Sequence, residues 1–218
     1  MQSDLTCVII LESILMRSSE MFKRICKITF ITHGATVYSL ENIVNDNLKY
    51  PKLNDLGEQE IEKVCEYLEN RGVAYDKIYS SPNACCVQSA QIIAKLFKQK
   101  ATTIQLEQRN HGSWQGTSYV ELMNDKGPAL LAATPDNGEA LADFNKRISE
   151  VIEKLVVENK GHRIIIVTTP EVVQSALSNA LGLTPENQYK ILIKTGSLTQ
   201  ISYFSGWSSV IYSNYTPL

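Results

Sequence analysis

The sequence has few of the features that mark secreted or nucleic-acid-binding proteins. Its 218 residues include only five cysteines, and an odd number without regular spacing does not build a disulfide framework. The 21 lysine and arginine residues do not outnumber the 23 aspartate and glutamate residues, so a net charge of −2 offers nucleic acid no basic surface. We therefore expect a cytoplasmic protein with reduced thiols and no nucleic-acid partner.

The apolar runs are too short for a membrane protein. The run from Cys7 to Leu11 is interrupted by Glu12 and falls far short of the roughly 20 residues that a membrane-spanning helix needs. No basic residue precedes it and no small-residue cleavage site follows, so it does not read as a secretory signal. We expect no membrane partner, an N-terminal extension over residues 1–20 with Met21 as a candidate start, and one domain over residues 21–218.

Ordinary apolar and charged contents indicate a folded globular domain. The chain is 44% apolar and 20% charged, which argues against disorder, and its length suffices for one α/β domain with a full core. Strand-like runs alternate with helix-like runs, the pattern of a layered α/β domain. The predicted strands are Cys26–Thr32, Asp76–Ser80, Thr102–Leu106, Arg163–Thr168, Ile191–Ile193, Leu198–Tyr203 and Val210–Tyr212.

Helical periodicity and end signals predict the segments between these strands. The predicted helices are one that opens at Gly57, one from Ser81-Pro82 to about Phe97, one along the apolar stripe from Leu141 to Leu155, and one from Pro170 to Leu181. Thr169 is placed to cap the last helix, and Gly182 is placed to end it.

Six short motifs occur in order along the chain. They are Thr32-His33-Gly34, Leu53–Gln59, Tyr79–Pro82 with Gln88-Ser89-Ala90, Gly112–Gly116 with its Trp114, Asn137–Ala140 with the later Arg147, and the strand-like run Ile164–Thr169. Together they resemble the landmarks of the histidine phosphatase superfamily, the phosphoglycerate mutase-like proteins, over about residues 26–213. The resemblance implies a three-layer α/β/α sandwich with a mostly parallel central sheet.

The reaction of that family needs a nucleophile, several cations and an acid. A neutral histidine attacks phosphorus to form phosphohistidine, two arginines and a second histidine hold the phosphoryl oxygens, and a carboxylic acid protonates the leaving group. By the resemblance, His33 stands at the nucleophile's position. The other positions hold different chemistry: Thr32 and Cys85 replace the arginines, Thr169 replaces the second histidine, and Gln108 replaces the acid.

These substitutions predict a phosphate pocket that has lost its charge. A charge-assisted hydrogen bond contributes roughly 1.5–3 kcal/mol, and loss of a general acid costs about 10²–10⁴-fold in rate. Ser39 also stands where the family often has asparagine, and Gly34 and Asn83 complete a cleft of neutral groups. We expect no cofactor and no metal, because one histidine, one thiol and two threonines do not make a zinc site.

Two residues could take over lost roles, and each has a plainer explanation. His111, one of only three histidines, either faces the pocket mouth or is a surface or packing histidine. Glu171 follows the position of the second histidine, where some branches of the family place their proton donor. It is otherwise an acid of the kind that commonly occupies the first turn of a helix.

Cys85 and Glu107 also have two readings. A thiol near a helix N-terminus and near His33 has a lowered pKa and can act as a cysteine–histidine nucleophile. Alternatively, Cys85 and Cys86 fill the volume that an arginine left. Glu107 would restore the missing acid if it took the place of Gln108, but neighbours on an extended backbone point to opposite faces.

The leading interpretation is a catalytically impaired or inactive family member, a pseudophosphatase, that binds a small molecule or a protein. The alternative is a weak or altered phosphohydrolase that uses His33 as its nucleophile. A purely structural subunit is the third possibility. The residues do not single out a ligand, a partner or an oligomeric state.

Overall fold

The computed structural model of the protein describes residues 23–44, 51–123, 127 and 130–217. The expected N-terminal extension over residues 1–20 lies outside these ranges and stays a prediction. Among the described residues, no helix combines the length and the apolar character needed to cross a membrane.

Six strands form one mostly parallel sheet. They are β1 (Cys26–Thr32), β2 (Lys77–Ser80), β3 (Ala101–Thr103), β4 (Arg163–Thr168), β5 (Leu198–Phe204) and β6 (Trp207–Tyr215), arranged in the order β3-β2-β4-β1-β5-β6. The first four strands of that order run parallel, and β5 and β6 pair antiparallel at the far side. This topology confirms the predicted sheet.

Helices connect the strands and cover both faces of the sheet. They are α1 (Val37–Leu40), α2 (Asp55–Asn70), α3 (Ala84–Leu96), α4 (Tyr119–Met123), α5 (Leu141–Glu158), α6 (Pro170–Leu181) and α7 (Pro185–Gln188), with a 3₁₀ turn at Gly112–Trp114. Gly182, with φ +64°, ends α6 in the left-handed conformation that favours glycine.

Alternation along the central strands creates two cores. Ile164 and Ile166 of β4 face α5 and α6, whereas Ile165 and Val167 face α2 and α3. All four side chains are fully buried, and each such burial stabilises the fold by about 1.5–3 kcal/mol. A strand that is buried on both faces is apolar throughout, so the apolar run of β4 indicates a central place in the sheet. Helices on both sides of this strand confirm the three-layer sandwich.

The carboxyl ends of three parallel strands meet at one edge of the sheet. Thr32 of β1 pairs with Thr168 of β4, and Ser80 of β2 pairs with Val167. The loops that follow these strands therefore converge, which is where parallel α/β sheets form their ligand sites.

Three strand predictions were wrong in extent or in kind. The strand predicted over Thr102–Leu106 is Ala101–Thr103, because its neighbour β2 ends at Ser80, which pairs with Thr103. The strand predicted over Val210–Tyr212 is longer, Trp207–Tyr215. Ile191–Ile193 is not a strand. Backbone groups in and next to this segment hydrogen-bond to side chains instead. Gln174 Nε2 donates to the Ile191 carbonyl at 2.7 Å, and the Lys194 amide donates to Asn214 Oδ1 at 2.8 Å.

Candidate functional site

A cavity of about 590 Å³ opens where the strand ends converge. Many of the predicted positions line it: His33, Ser39, Asn83, Cys85, Gln108, Thr169 and Glu171. Thr32, Gly34 and His111 are buried and are not among the residues that line it.

His33 is anchored to the backbone and shares the cavity with a thiol. Its side chain is buried, and Nδ1 lies 2.8 Å from the carbonyl oxygen of Gly34. A carbonyl can only accept a hydrogen bond, so Nδ1 carries a proton. Nε2 is then the remaining ring nitrogen, and Cys85 lines the same cavity.

The two groups favour each other's charged form. Burial lowers the pKa of His33, but the Cys85 thiolate beside it outweighs burial and raises the pKa to about 9. The hydrogen bond from Cys86 is the largest influence on Cys85, and together with the His33 charge it lowers the pKa of the Cys85 thiol to about 4 against the effect of burial. At neutral pH the pair is a thiolate and an imidazolium.

Thr32 supports the fold rather than the cavity. Its hydroxyl donates to the Lys194 carbonyl at 2.6 Å and accepts from the Ser197 amide at 2.8 Å. The side chain is 1% exposed. Thr32 therefore ties the end of β1 to the turn that leads into β5.

Gly34 permits a close approach between the loop after β1 and the start of α2. A Cβ atom on Gly34 would lie 2.1 Å from the carbonyl oxygen of Gly57. Asn54 caps α2 by accepting from the Gly57 amide at 2.8 Å. Any side chain at Gly34 would push these two backbones apart and displace His33.

The side-chain amide of Gln108 faces the cavity. Asn83 Nδ2 donates to Gln108 Oε1 at 3.2 Å, and both residues line the cavity. The adjacent Glu107 does not, and its Oε2 lies 3.8 Å from Nη1 of Arg147. Neighbouring residues thus point to different sides, as the extended backbone predicts.

A buried carboxylate forms one wall of the cavity. Glu171 Oε2 lies 2.9 Å from His111 Nε2, and Tyr189 donates to Glu171 Oε1 at 2.8 Å. Burial raises the pKa of Glu171, but His111, the hydrogen bond from Tyr189 and the charge of Arg109 together outweigh burial and hold the pKa below its usual value. His111 is 1% exposed and is therefore the packing histidine of the alternatives above, not a surface one.

Sequence reasoning missed three side chains around this wall. Arg109 is fully buried and donates to the backbone carbonyls of Leu131 and Ala133 at 2.6 Å and of Glu139 at 2.9 Å. No local pattern signals it, because its partners lie in an irregular segment further along the chain.

Glu60 and Lys194 are the other two, and both line the cavity. Glu60 Oε2 accepts from the Ala35 amide at 2.8 Å, and Oε1 accepts from Thr195 Oγ1 at 3.0 Å. Glu60 lies three residues after Gly57, close to one turn along the same helix, and this spacing places it on the side that approaches the loop after β1. Lys194 gives no such signal, because it follows the predicted strand Ile191–Ile193.

The cavity is poor in positive charge. Lys194 is the one lysine or arginine among the described residues that line it, and its side chain is exposed. Glu60 and Glu171 contribute carboxylates, and the His33–Cys85 pair has no net charge. Within the described ranges, no cluster of three or more His, Cys, Asp or Glu side chains is arranged to hold a metal ion.

One buried hydroxyl in the cavity wall lacks a partner. Thr169 is the residue before α6, yet its side chain makes no capping bond, so the predicted cap was wrong. Its Oγ1 has no hydrogen-bond partner among the described residues, and Thr169 is 3% exposed. Because buried polar atoms are normally hydrogen-bonded, the unpartnered hydroxyl is unusual for this fold position.

Comparison with known proteins agrees with this fold. Residues 28–215 match the histidine phosphatase superfamily (branch 1). The chain is 29% identical over 164 residues to phosphoglycerate mutase-like protein 4 of Arabidopsis thaliana, covering 71% of this chain and 70% of that protein. It is 25% identical to a broad-specificity phosphatase of Saccharomyces cerevisiae, over 82% of this chain and 80% of that one.

A solved structure shares the fold. The phosphoserine phosphatase of Entamoeba histolytica, in complex with 3-phosphoglyceric acid, superposes with a TM-score of 0.78 at 21% identity. The match covers 88% of this chain and 98% of that one. With the family match extending through nearly all of the described residues, this chain belongs to the histidine phosphatase superfamily.

Proposed function

We propose that this protein is a catalytically impaired member of the superfamily, a pseudophosphatase, that acts by binding a ligand in its cavity. The observation that carries the proposal is that Cys85 lines the cavity together with His33. The Cys85 side chain favours the protonated imidazole and raises the pKa of His33 to about 9. When Nε2 of His33 carries a proton, it has no lone pair with which to attack phosphorus. The phosphohistidine route depends on that attack.

The charge of the cavity supports the same conclusion. A phosphate dianion needs cationic donors, and each charge-assisted hydrogen bond contributes about 1.5–3 kcal/mol. Thr32 and Thr169 supply none, and Cys85 supplies a negative charge. The carboxylates of Glu60 and Glu171 would repel a dianion, and Lys194 alone does not offset them.

A proton donor is also lacking where the leaving group would need one. Gln108 is an amide, and loss of a general acid costs about 10²–10⁴-fold in rate. Glu171 does not replace it, because His111 and Tyr189 hold its carboxyl in the ionised form. A carboxylate that keeps its negative charge at neutral pH does not protonate an oxygen.

The second candidate is a weak or altered phosphohydrolase that uses His33. One observation favours it: Nδ1 is anchored to the Gly34 carbonyl at 2.8 Å, which orients Nε2 toward the cavity as a nucleophile requires. The similarity to proteins named as phosphatases and mutases supports it as well. The two candidates differ in whether His33 forms a phosphohistidine.

Turnover of a panel of phosphomonoesters separates the candidates. We expect no release of phosphate above background from the wild-type protein. His33→Ala should then change nothing, and His162→Ala is the matched control because His162 precedes β4 at the opposite end of the sheet. Phosphate release that disappears in His33→Ala and persists in His162→Ala would establish the phosphohydrolase instead.

Phosphorus-31 NMR gives a second readout. The pseudophosphatase predicts no phosphorus–nitrogen resonance after exposure to a phosphodonor, and no binding of vanadate by calorimetry. A stable phosphohistidine signal that is lost in His33→Ala would overturn the proposed function.

A further inference from the structure

All four parallel strands begin beside basic side chains. Arg24 and Lys27 lie at the start of β1, Lys77 opens β2, Lys100 precedes β3, and Arg163 opens β4. Parallel strands begin at the same edge of a sheet, and the registers of β1 with β4 and of β2 with β3 and β4 bring these residues level with one another. They therefore share the end of the molecule opposite the cavity.

The positive charges at this end lie close together. Lys27 pairs in register with Arg163 across β1 and β4. Burial lowers the pKa of Lys27, and three arginine charges lower it further: Arg24, Arg163 and Arg71, the residue that caps the carboxyl end of α2. Asp76 is nearby, but its Oδ2 accepts from the backbone amide of Arg163 at 2.8 Å.

These residues form what we call the amino-end surface: Arg24, Lys27, Arg71, Lys77, Lys100 and Arg163. Four of them are exposed, and the two within β1 and β4 are half-buried. None of the ion pairs between described residues includes one of these six side chains. The surface therefore carries positive charge that carboxylates within the described ranges leave largely uncompensated.

Two stacked aromatic rings lie at the same end. β5 runs antiparallel to β1, and Tyr203 near its end pairs with Cys26, so the hairpin from β5 to β6 lies next to the start of β1. In this hairpin Phe204 and Trp207 stack with 4.1 Å between ring centroids and 5° between ring planes. Trp207 is 40% exposed. Tryptophan suits a boundary between apolar and aqueous surroundings, because its ring is apolar and its N–H is polar.

We propose that the amino-end surface and the Phe204–Trp207 pair bind the surface of an anionic phospholipid membrane. The lysine and arginine side chains meet the anionic headgroups, and Trp207 enters the headgroup region. Such a contact needs no membrane-spanning helix. It revises our expectation of no membrane partner, which considered only membrane-spanning and secretory segments.

The arrangement favours a membrane over a single soluble anion. In the order of the sheet, the cations occupy β3, β2, β4 and β1, and the aromatic pair follows on β5 and β6. With about 4.8 Å between neighbouring strands, the cations extend over about 14 Å and do not converge on one point. A row of cations matches a layer of headgroups, and the aromatic pair adds an apolar contact that a membrane interface accepts.

The contact is separate from the proposed function. The cavity opens at the carboxyl ends of β1, β2 and β4, whereas the amino-end surface lies where these strands begin. A protein held on a membrane through this surface keeps its cavity directed away from the lipid. Binding of a ligand and binding to the membrane can therefore occur together.

Sedimentation of the full-length protein with vesicles tests the proposal. We expect binding to vesicles of phosphatidylcholine with phosphatidylserine, no binding to phosphatidylcholine alone, and release at about 1 M salt, where charges are screened. Arg24→Gln combined with Lys77→Gln should weaken binding about 25-fold, because each cation near an anionic membrane contributes about fivefold.

Lys52→Gln combined with Lys190→Gln is the matched control. It removes the same charge from two exposed positions at the cavity end, where their neighbours Pro51 and Tyr189 line the cavity. This variant should bind the vesicles as the wild type does. Equal weakening by the two double variants would show that only net charge matters and would overturn the proposal.

The two tryptophans report on opposite ends of the molecule. Trp207 belongs to the hairpin, whereas Trp114 lies beside His111 behind the cavity, with 6.5 Å between their ring centroids. In Trp114→Phe, brominated phospholipid in the vesicles should quench the fluorescence of Trp207. In Trp207→Phe, the fluorescence of Trp114 should not change. Quenching of Trp114 instead would place the cavity end on the membrane and overturn the proposal.

Two further outcomes would overturn it. One is no difference between vesicles with and without phosphatidylserine. The other is binding to oligoglutamate or to single-stranded RNA but not to the vesicles, which would make a soluble polyanion the partner. Failure here leaves the proposed function standing, because phosphomonoester turnover and vanadate binding concern the cavity alone.

Discussion

Glu171 and His111 form a buried hydrogen-bonded pair, with 2.9 Å between the carboxylate Oε2 and Nε2 of the imidazole. Glu171 lines the cavity, and His111 lies behind it. Tyr189 donates to the other carboxylate oxygen. The two hydrogen bonds hold the carboxylate of Glu171 at the edge of the cavity.

Glu171→Gln should lower the free energy of unfolding at pH 7 by about 1–3 kcal/mol, because an amide cannot accept from both His111 and Tyr189 as a carboxylate does. The folded pKa of Glu171 is below its ordinary 4.5, so its contribution is present above that pH and is lost as the pH falls through the folded pKa.

Urea unfolding of both proteins at pH 7 and at about pH 3 measures the effect. The difference in the free energy of unfolding between wild type and variant should be smaller at the lower pH. Glu158→Gln, on the exposed face of α5, is the control and should change stability little. A gap that stays constant with pH would contradict the ionised state of Glu171.

Arg109→Lys should destabilise the protein by about 2–4 kcal/mol. Lysine carries the charge but cannot reach the carbonyls of Leu131, Ala133 and Glu139 at once, so buried acceptors lose their donors. Chemical denaturation gives the value. Arg71→Lys is the matched control, since the exposed Arg71 contacts only the Tyr67 side chain through its guanidinium. Equal changes in the free energy of unfolding for the two variants would show that only the positive charge of Arg109, and not its hydrogen bonds, contributes to stability.

Alkylation by iodoacetamide should report the ionised thiol of Cys85. With a pKa of about 4, its rate should stay level from about pH 5 to pH 8, because the thiolate fraction is already complete. The rate at Cys65, whose pKa is about 11, should rise about tenfold per pH unit over the same range.

His33→Gln removes the imidazolium and should raise the pKa of Cys85. The alkylation rate at about pH 6 should then fall at least about tenfold and regain a dependence on pH. Peptide mass spectrometry distinguishes the two cysteines in one sample. Parallel pH profiles for Cys85 and Cys65 would contradict the thiolate–imidazolium pair.

Restoring the family's residues through Thr32→Arg, Cys85→Arg and Thr169→His should lower the melting temperature in phosphate-free buffer, by about 5 °C or more. The substitutions crowd positive charges and break the bonds of Thr32 to Lys194 and Ser197. Thr32→Ser keeps that hydroxyl and is the control. A melting temperature above that of the wild type would refute the view that the uncharged residues of the present pocket make the fold more stable than the charged set would.

Local signals in the chain were enough to predict the fold. The β-branched runs of β1 and β4 have the predicted bounds, and Pro170 and Gly182 mark the start and end of α6 as expected. Predictions failed where side chains compete for backbone groups. Ile191–Ile193 has the composition of a strand, but Gln174 and Asn214 bond the backbone that a neighbouring strand would otherwise take.

The sequence by itself determined the layered sheet and the order of its motifs, and its resemblance to the family predicts uncharged residues at the charged positions of the phosphate pocket. These follow from periodicity and residue type, which are properties of neighbours along the chain. The tertiary structure decided that Thr32 stays behind the wall, that His111 hydrogen-bonds Glu171, and that Cys85 and His33 line one cavity. The physical reason is that a hydrogen bond or an ion pair depends on which distant elements bring their atoms within about 3 Å of each other, and packing of the helices on the sheet sets that distance.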